Sequence, residues 1–541
     1  MIQLPPRHGL FVLLRRMRAP LMVLICSYAL AVLGMTLMPG QTPEGEPWKM
    51  NFFHAFYFIS YLGNTIGLGE IPYPFSDAQR LWATFSIYLT VLAWLYSVGS
   101  LIAILQDPLL RQLWREQRFE HQVARLREPF YLLCGYDQAG RRVTRELTED
   151  GLRVVVVDAD PLQVAGADVD DHLSAVPALA GDATDPRVLR RAGLLHPHCL
   201  GLLVLTGSDA ANARITLAAR LLKPGLTVLC AARDHAWHPR IAAAGAQALI
   251  NPYDRFAARI GVALRSPSLH VLYEALTAQR QTAMAPVPEL PRGRWVVCGW
   301  GRFAKALKRR LLDEGLEVHV IDVDFQGDPQ CSGERANPTD PGVLRRAGLD
   351  EAVALVAGLG EDIDNLAVLQ AARQLRPGLY TVARLGQRRN ASLYRAAQVE
   401  LIMGTGYMVA TEVLRHTRAP LLHSFLRRAE DEDEAWAAAL LARVRSVVGD
   451  EVLESWSLRL DPASLPLTCA RMAQGEPVRL HQLLSRADGS PLGVVPLMLE
   501  RSGQRTLLPG EHELLWPGDH LLLCGSAAAR LRLRARAWAW R

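Results

Sequence analysis

Two stretches of the 541-residue chain run without a charge for long enough to matter: 19 residues over 20–38 and 25 over 81–105. A helix needs about 20 apolar residues to cross the hydrocarbon core of a bilayer, so both qualify as spans. Between them, residues 51–62 (NFFHAFYFISYL) are apolar and aromatic but only about twelve long, too short to cross. The next residues, Asn64-Thr65-Ile66-Gly67-Leu68-Gly69-Glu70, are too glycine-rich for a good helix. This order predicts a span, a re-entrant helix, a strip of non-helical backbone at membrane depth, and a second span. Such backbone survives in a membrane only where protein buries it or a watery path receives its polar groups. Arg15-Arg16 followed by Ala29-Leu30-Ala31 also fits a secretory signal with its cleavage site, but the apolar run continues to Met38, which suits a span better.

Beyond Gln106 the pattern changes to short apolar strands alternating with helical spacing, and it repeats. Residues 131–160 (YLLCGYDQAGRRVTRELTEDGLRVVVVDAD) and 295–324 (WVVCGWGRFAKALKRRLLDEGLEVHVIDVD) align without a gap. Gly135 pairs with Gly299, Gly151 with Gly315, Asp158 with Asp322 and Asp160 with Asp324, each 164 positions apart. Residues 182–194 (DATDPRVLRRAGL) return at 337–349 as NPTDPGVLRRAGL, and Asn212 and Asn365 fall at matching points. A repeat on this scale is a duplicated domain. Strand, glycine turn, helix and strand in each copy predict a parallel sheet with helices on its faces. Glycines after the first strand and an acid closing the second form a dinucleotide-binding fingerprint. The glycines let a pyrophosphate approach the free N–H groups of the helix, and the acid receives ribose hydroxyls. The second copy satisfies the pattern with Gly299, Gly301, Ala304 and Asp322. The first offers Gly135, Gly140 and Asp158 but has Asp137 where the middle glycine belongs, a side chain and charge that crowd a pyrophosphate. A Rossmann fold retained for assembly alone is the competing reading.

Charge refines the picture. Arg15, Arg16 and Arg18 precede the first span, and Arg111, Arg115, Arg118, Arg125 and Arg127 follow the second; the intervening loop has only Lys49 and Arg80. The positive-inside rule then places both termini and the large soluble part in the cytoplasm. Because the net charge of +6 is partly this flanking arginine, it argues for no nucleic acid partner. The eight cysteines show no C-x-x-C and no Cys/His ligand spacing, so neither a zinc site nor a disulfide framework is indicated. The acidic run 430–434 (EDEDE) lacks the alternating ligands and turn glycine of a calcium loop and reads as a solvated face. The tail 530–541 (RLRLRARAWAWR) reads as a frayed end, or as a strip resting on anionic lipid or another subunit. The charged helical sequence at 109–127 is the candidate lever from soluble part to membrane part.

Span, short helix, T-x-G-x-G and span together resemble the two-helix potassium channel pore. That family's usual filter is T-V-G-Y-G-D; here Ile66, Leu68 and Glu70 replace Val, Tyr and Asp. The resemblance implies a selectivity filter at Thr65, Ile66, Gly67, Leu68, Gly69 and Glu70. Backbone carbonyls of four copies would hold potassium at Thr65, Ile66, Gly67 and Leu68, without the tyrosine hydroxyl that commonly braces the family's filter. A hinge glycine usually lies near the middle of the second span. Here Leu89 and Thr90 stand there, and Gly99 is the hinge candidate.

The repeats resemble the RCK (regulator of potassium conductance) or Trk-type nucleotide-binding family. The match is carried by GDATDP at 181–186, by T-x-x-D-x-x-N at 206–212, and by LLWPGDHLL at 514–522, similar to the turn of the family's small C-terminal lobe. Family members place the segment matching Gly181-Asp182 near the adenine, which adds Asp182 to the nucleotide-binding candidates; the second copy has Ala336-Asn337 there. The implied fold is a membrane α-helical pore followed by tandem α/β Rossmann-like domains and a small α+β lobe. The implied boundaries are 1–19 cytoplasmic N-terminus, 20–107 pore, 108–128 linker helix, 129–252 first lobe and 253–291 crossover and linker. They continue with 292–405 second lobe, 406–453 helical connector, 454–527 C-terminal lobe and 528–541 tail. The implied protein is a homotetrameric, multi-pass inner-membrane potassium channel of prokaryotic type and not an enzyme. A cytoplasmic ring of eight such domains would gate it on binding NAD, ADP or another adenine nucleotide, or calcium at an unassigned site. A membrane-anchored NAD-dependent oxidoreductase and a regulatory subunit of a potassium transporter are the alternatives.

Overall fold

The computed structural model describes residues 8–538 except 65, 68, 107, 278–289, 450 and 487. The chain divides into two compact units, residues 1–122 and 123–541.

The first unit is helical. Helix His8–Leu37 carries Pro20 inside it, and helix Asp77–Leu105 packs along it. Proline bends a helix and loosens its hydrogen-bond ladder; here the Pro20 carbonyl accepts from Ser97 Oγ at 3.1 Å. Trp82 Nε1 donates to the Ala31 carbonyl at 2.9 Å. Its indole lies so close that a Cβ on Gly34 would stand 2.0 Å away. A two-stranded hairpin, Pro39–Gln41 with Pro47–Lys49, precedes helix Phe52–Gly63, whose N-terminus is capped by Asn51 accepting from His54 N at 2.8 Å. Ser76 and Gln79 form a reciprocal capping box at the start of Asp77–Leu105. Met17–Leu37 and Asp77–Ile104 are long and apolar enough to cross a membrane, and helix Phe52–Gly63 is not. Helix Pro108–Ala124 leads out of this unit.

In the second unit each repeat is a six-stranded parallel sheet. Strands Phe130–Cys134, Arg153–Asp158, Ala178–Ala180, Cys199–Val204, Thr227–Ala231 and Ala248–Ile250 lie side by side in the order 3-2-1-4-5-6. The second copy, from Arg294–Cys298 to Leu401–Gly404, has the same order. This is the doubly wound arrangement, with a crevice beyond the carboxyl end of the first strand, where the order reverses.

The helices that follow the two sheets are exchanged. Helix Pro252–Arg265, at the end of the first copy, buries Tyr253, Phe256 and Ile260 in the second copy's core. Helix Thr405–Arg418, at the end of the second, buries Val409, Ala410, Val413 and Leu414 in the first copy's core. The two Rossmann layers are thereby clamped by apolar surface at about 25 cal/mol per Å².

Helices Pro267–Thr277, Pro420–Ala429 and Glu434–Val448 then join a four-stranded antiparallel sheet of Glu454–Arg459, His520–Gly525, Val494–Arg501 and Gln504–Leu507. Two expectations change here. The acidic run is not simply a solvated face: Asp433 caps Glu434–Val448 through Trp436 N, and Glu434 accepts from Ser266 Oγ and Ser268 N. The start of the tail is ordered and helical, not frayed. It forms helix Ala527–Trp538, with Ala529 and Leu533 buried and Arg530 paired to Glu454 at 3.2 Å.

Candidate functional site

Two places gather the residues that the sequence singles out. In the first unit, Ile66 N donates to the Tyr61 carbonyl at 3.1 Å, so the chain leaves helix Phe52–Gly63 in a tight turn. Gly67 and Gly69 have φ of +64° and +94°, the left-handed region that favours glycine. Thr65 and Leu68 lie outside the described residues. The Tyr61 hydroxyl donates to the Gly69 carbonyl. Glu70 accepts from Phe75 N at 2.8 Å and pairs with Arg80 at 2.9 Å. Phe58 packs edge-on against both Tyr61 and Phe75, with ring centroids 5.3 and 4.8 Å apart. The glycine strip is thus fastened from its own helix by a hydroxyl and from the following helix by an ion pair. Sequence reasoning missed Tyr61 and Arg80, since neither belongs to the T-x-G-x-G string. Gly99 lies within the unbroken helix Asp77–Leu105, and a Cβ there would meet nothing within 4 Å.

In the second unit the two copies build the same turn and then diverge. Gly135 and Gly299 have φ of +101° and +115°, and a Cβ on either would come within 2.8 Å of backbone in the neighbouring loop. Asp158 Oδ2 accepts from Tyr136 N at 2.5 Å, and Asp322 Oδ2 from Trp300 N at 2.7 Å. Their other oxygens accept from Asp160 N and Asp324 N at 2.8 and 2.7 Å. Both acids therefore brace the glycine turn from the end of the second strand. A Cβ on Gly140 would stand 2.2 Å from the Gly135 carbonyl oxygen, whereas Ala304 fits its methyl in the core at the matching position.

The divergence is at the helix N-terminus. In the first copy Asp137 caps helix Gln138–Glu149, its Oδ1 accepting from Ala139 N at 2.9 Å and Gly140 N at 3.2 Å, with Arg233 3.6 Å from Oδ2. A carboxylate of the chain already holds the donors that a phosphate would use. In the second copy Gly301 caps helix Arg302–Asp313 with no side-chain bond, and a Cβ there would meet nothing within 4 Å. Its glycine leaves space instead of meeting a backbone need. The N–H groups open onto a cavity of about 290 Å³ lined by Tyr253, Gly299, Trp300, Gly301, Arg302, Phe303, Asp322, Gly358, Leu359, Gly360 and Arg384.

Arg384 and Tyr253 are among the lining residues that escaped the sequence reading. Arg384 lies on strand Tyr380–Leu385, bonds the Leu359 carbonyl at 3.1 Å through one terminal nitrogen, and leaves its buried Nε without a partner. The repeat register carries its signal, an arginine inside an otherwise apolar strand where the first copy has Ala231. Tyr253 arrives on the exchanged helix Pro252–Arg265. Asp182 is exposed in a turn, its Oδ1 accepting from Thr184 N at 2.9 Å, and Gly181 N bonds the Asp158 carbonyl at 2.8 Å, placing the turn at the tip of that strand. Asn337 makes the same turn with Thr339 N at 3.0 Å. Asn212 and Asn365 are buried ties: their amides bond the carbonyls of Ala231 and Arg384 at 2.9 and 3.2 Å.

The TrkA-N domain profile matches residues 131–252 and 295–404. "Potassium channel protein 1" of Methanocaldococcus jannaschii is 27% identical over 209 residues, covering 38% of this chain and 60% of that protein. "Probable potassium channel protein 2" of the same organism is 22% identical over 205 residues, covering 38% of this chain and 58% of that protein. The chain thus matches about three-fifths of the length of these curated relatives. A solved structure described as "GsuK channel bound to NAD" aligns over 98% of this chain and 100% of that one, at 17% identity and a TM-score of 0.46. The segments that match the TrkA-N profile are the two six-stranded sheets, and part of the chain is similar to potassium channel proteins.

Proposed function

We propose that this chain is a potassium-selective channel whose pore is regulated by an adenine nucleotide bound in the second TrkA-N domain. The observation that carries the reading is the braced strip between two apolar helices. Glycines with positive φ at 67 and 69 turn successive carbonyls out of helical register, and the Tyr61 hydroxyl and the Glu70–Arg80 pair fasten the strip at its far end. Four such strips around an axis replace the hydration shell of a monovalent cation. The aromatic face of the preceding helix leaves Phe52 and Phe53 each 70% exposed within one chain, surface available to lipid or to neighbouring copies. Helix Phe52–Gly63 is the pore helix in this account, the C-terminal sheet is the RCK-type lobe, and the arginine bias puts the TrkA-N domains in the cytoplasm at the inner membrane.

The second-copy cavity supplies what a dinucleotide pyrophosphate needs: open helix N–H groups, an arginine and a braced acid at the ribose position. Asp322, the carboxylate among the lining residues, is spent on two backbone N–H groups, which suits binding without turnover. Asp137 closes the equivalent seat in the first copy, so the reading assigns one nucleotide per chain. Calorimetry on the full-length protein with NAD, ADP and calcium tests it: one nucleotide per chain supports the assignment, and two per chain or none refute it.

A further inference from the structure

Outside the residues already described, three buried polar atoms face one another without a hydrogen bond. Glu412 and His416 are one helical turn apart on Thr405–Arg418, and His423 lies on Pro420–Ala429 across the bend at Ala419. Glu412 is 2% exposed. Its Oε1 stands 3.9 Å from His416 Nε2 and 3.7 Å from His423 Nδ1, and none of the three atoms makes a hydrogen bond. The two imidazoles face each other with ring centroids 4.1 Å apart. Polar atoms this deeply buried normally find partners, and these are too far apart to serve one another.

From this geometry we infer a binding site for a divalent transition metal of the zinc class, with Glu412 Oε1, His416 Nε2 and His423 Nδ1 as protein ligands. Two imidazoles and one carboxylate suit zinc, cobalt or nickel and not calcium, which takes six or more oxygens. Ligands on a tetrahedral zinc with bonds of about 2.0–2.1 Å stand roughly 3.3 Å apart, so the two carboxylate–imidazole separations of 3.9 and 3.7 Å need to close only slightly, by side-chain movement. Arg415 holds Glu412 through Oε2 at 3.0 Å, on the side away from the imidazoles, and so orients the carboxylate. Arg255 approaches Oε1 at 3.4 Å without hydrogen-bond geometry, so this ion pair is the one contact that metal would have to displace.

The position gives the site a consequence. One ligand helix is embedded in the first copy's core and the other in the core of the C-terminal sheet, so bound metal fixes the bend between them. The sequence hides the site because a glutamate and histidine four apart, with a second histidine seven further on, match no metal-binding signature.

The test uses full-length protein stripped with a chelator and titrated with Co²⁺ alone. The expected result is one Co²⁺ per chain with the visible absorption of a four- or five-coordinate ion. His416→Gln with His423→Gln should weaken binding at least about tenfold, while His238→Gln, in the separate cluster His235, His238 and Asp254, should leave it unchanged. His423→Cys should restore binding and add a thiolate-to-cobalt charge-transfer band, a gain that misfolding does not produce at this stoichiometry. Absence of stoichiometric Co²⁺ binding to the unaltered chain overturns the inference. So does binding that survives the double substitution, or a His423→Cys protein without the new band.

Discussion

A carboxylate at residue 137 and a hydrogen at residue 301 separate two loops that otherwise share their turn, their brace and their sheet. The difference predicts opposite responses. Gly301→Asp should cap its helix as Asp137 does and weaken nucleotide binding at least about tenfold, or about 1.4 kcal/mol, measured by calorimetry. Asp137→Gly should open the first seat and raise the stoichiometry toward two. In the glycine strip, Tyr61→Phe removes one hydrogen bond, worth about 1 kcal/mol. Measured by competing fluxes, it should cut discrimination between potassium and sodium by roughly fivefold. The glycines and acids of both sites were legible because each sits in a contiguous string with its own spacing. Tyr61, Arg80, Tyr253 and Arg384 were not. Each reaches its site from a neighbouring helix or strand, so only the folded register brings it there.

At the scale of elements the repeat announced itself, since strand, turn and helix are local and a duplication preserves their spacing. The exchange of Pro252–Arg265 and Thr405–Arg418 did not, because an amphipathic helix does not say which sheet it will cover. The arginine-rich tail is similar: alternating basic and apolar residues do not announce a helix that buries Leu533 and leaves Leu531 exposed. The exchanged region also makes a pH prediction. Burial lowers the folded-state pKa of His423 to about 3 against an ordinary 6.5, so below that ordinary value the unfolded chain binds more protons. The stabilisation is therefore complete above about pH 6.5 and is lost as pH falls toward 3, amounting to about 2 kcal/mol by pH 5. Thermal unfolding in chelator should show the melting temperature falling between pH 7 and pH 5, with a shallower fall in His423→Gln.

Across the whole molecule, a channel reading asks binding energy in one unit to bias a pore in the other. A nucleotide shifts that equilibrium only by its difference in affinity for the two pore states. A tenfold preference is about 1.4 kcal/mol and changes the closed-to-open ratio tenfold. The most direct test reconstitutes the purified chain in liposomes and follows potassium and sodium flux with and without NAD or ADP. The account predicts a barium-blocked flux that favours potassium, changes with nucleotide, and loses that nucleotide response, but not the flux itself, in Gly301→Asp. Liposomes that pass no potassium under any nucleotide, or pass sodium equally well, would contradict it.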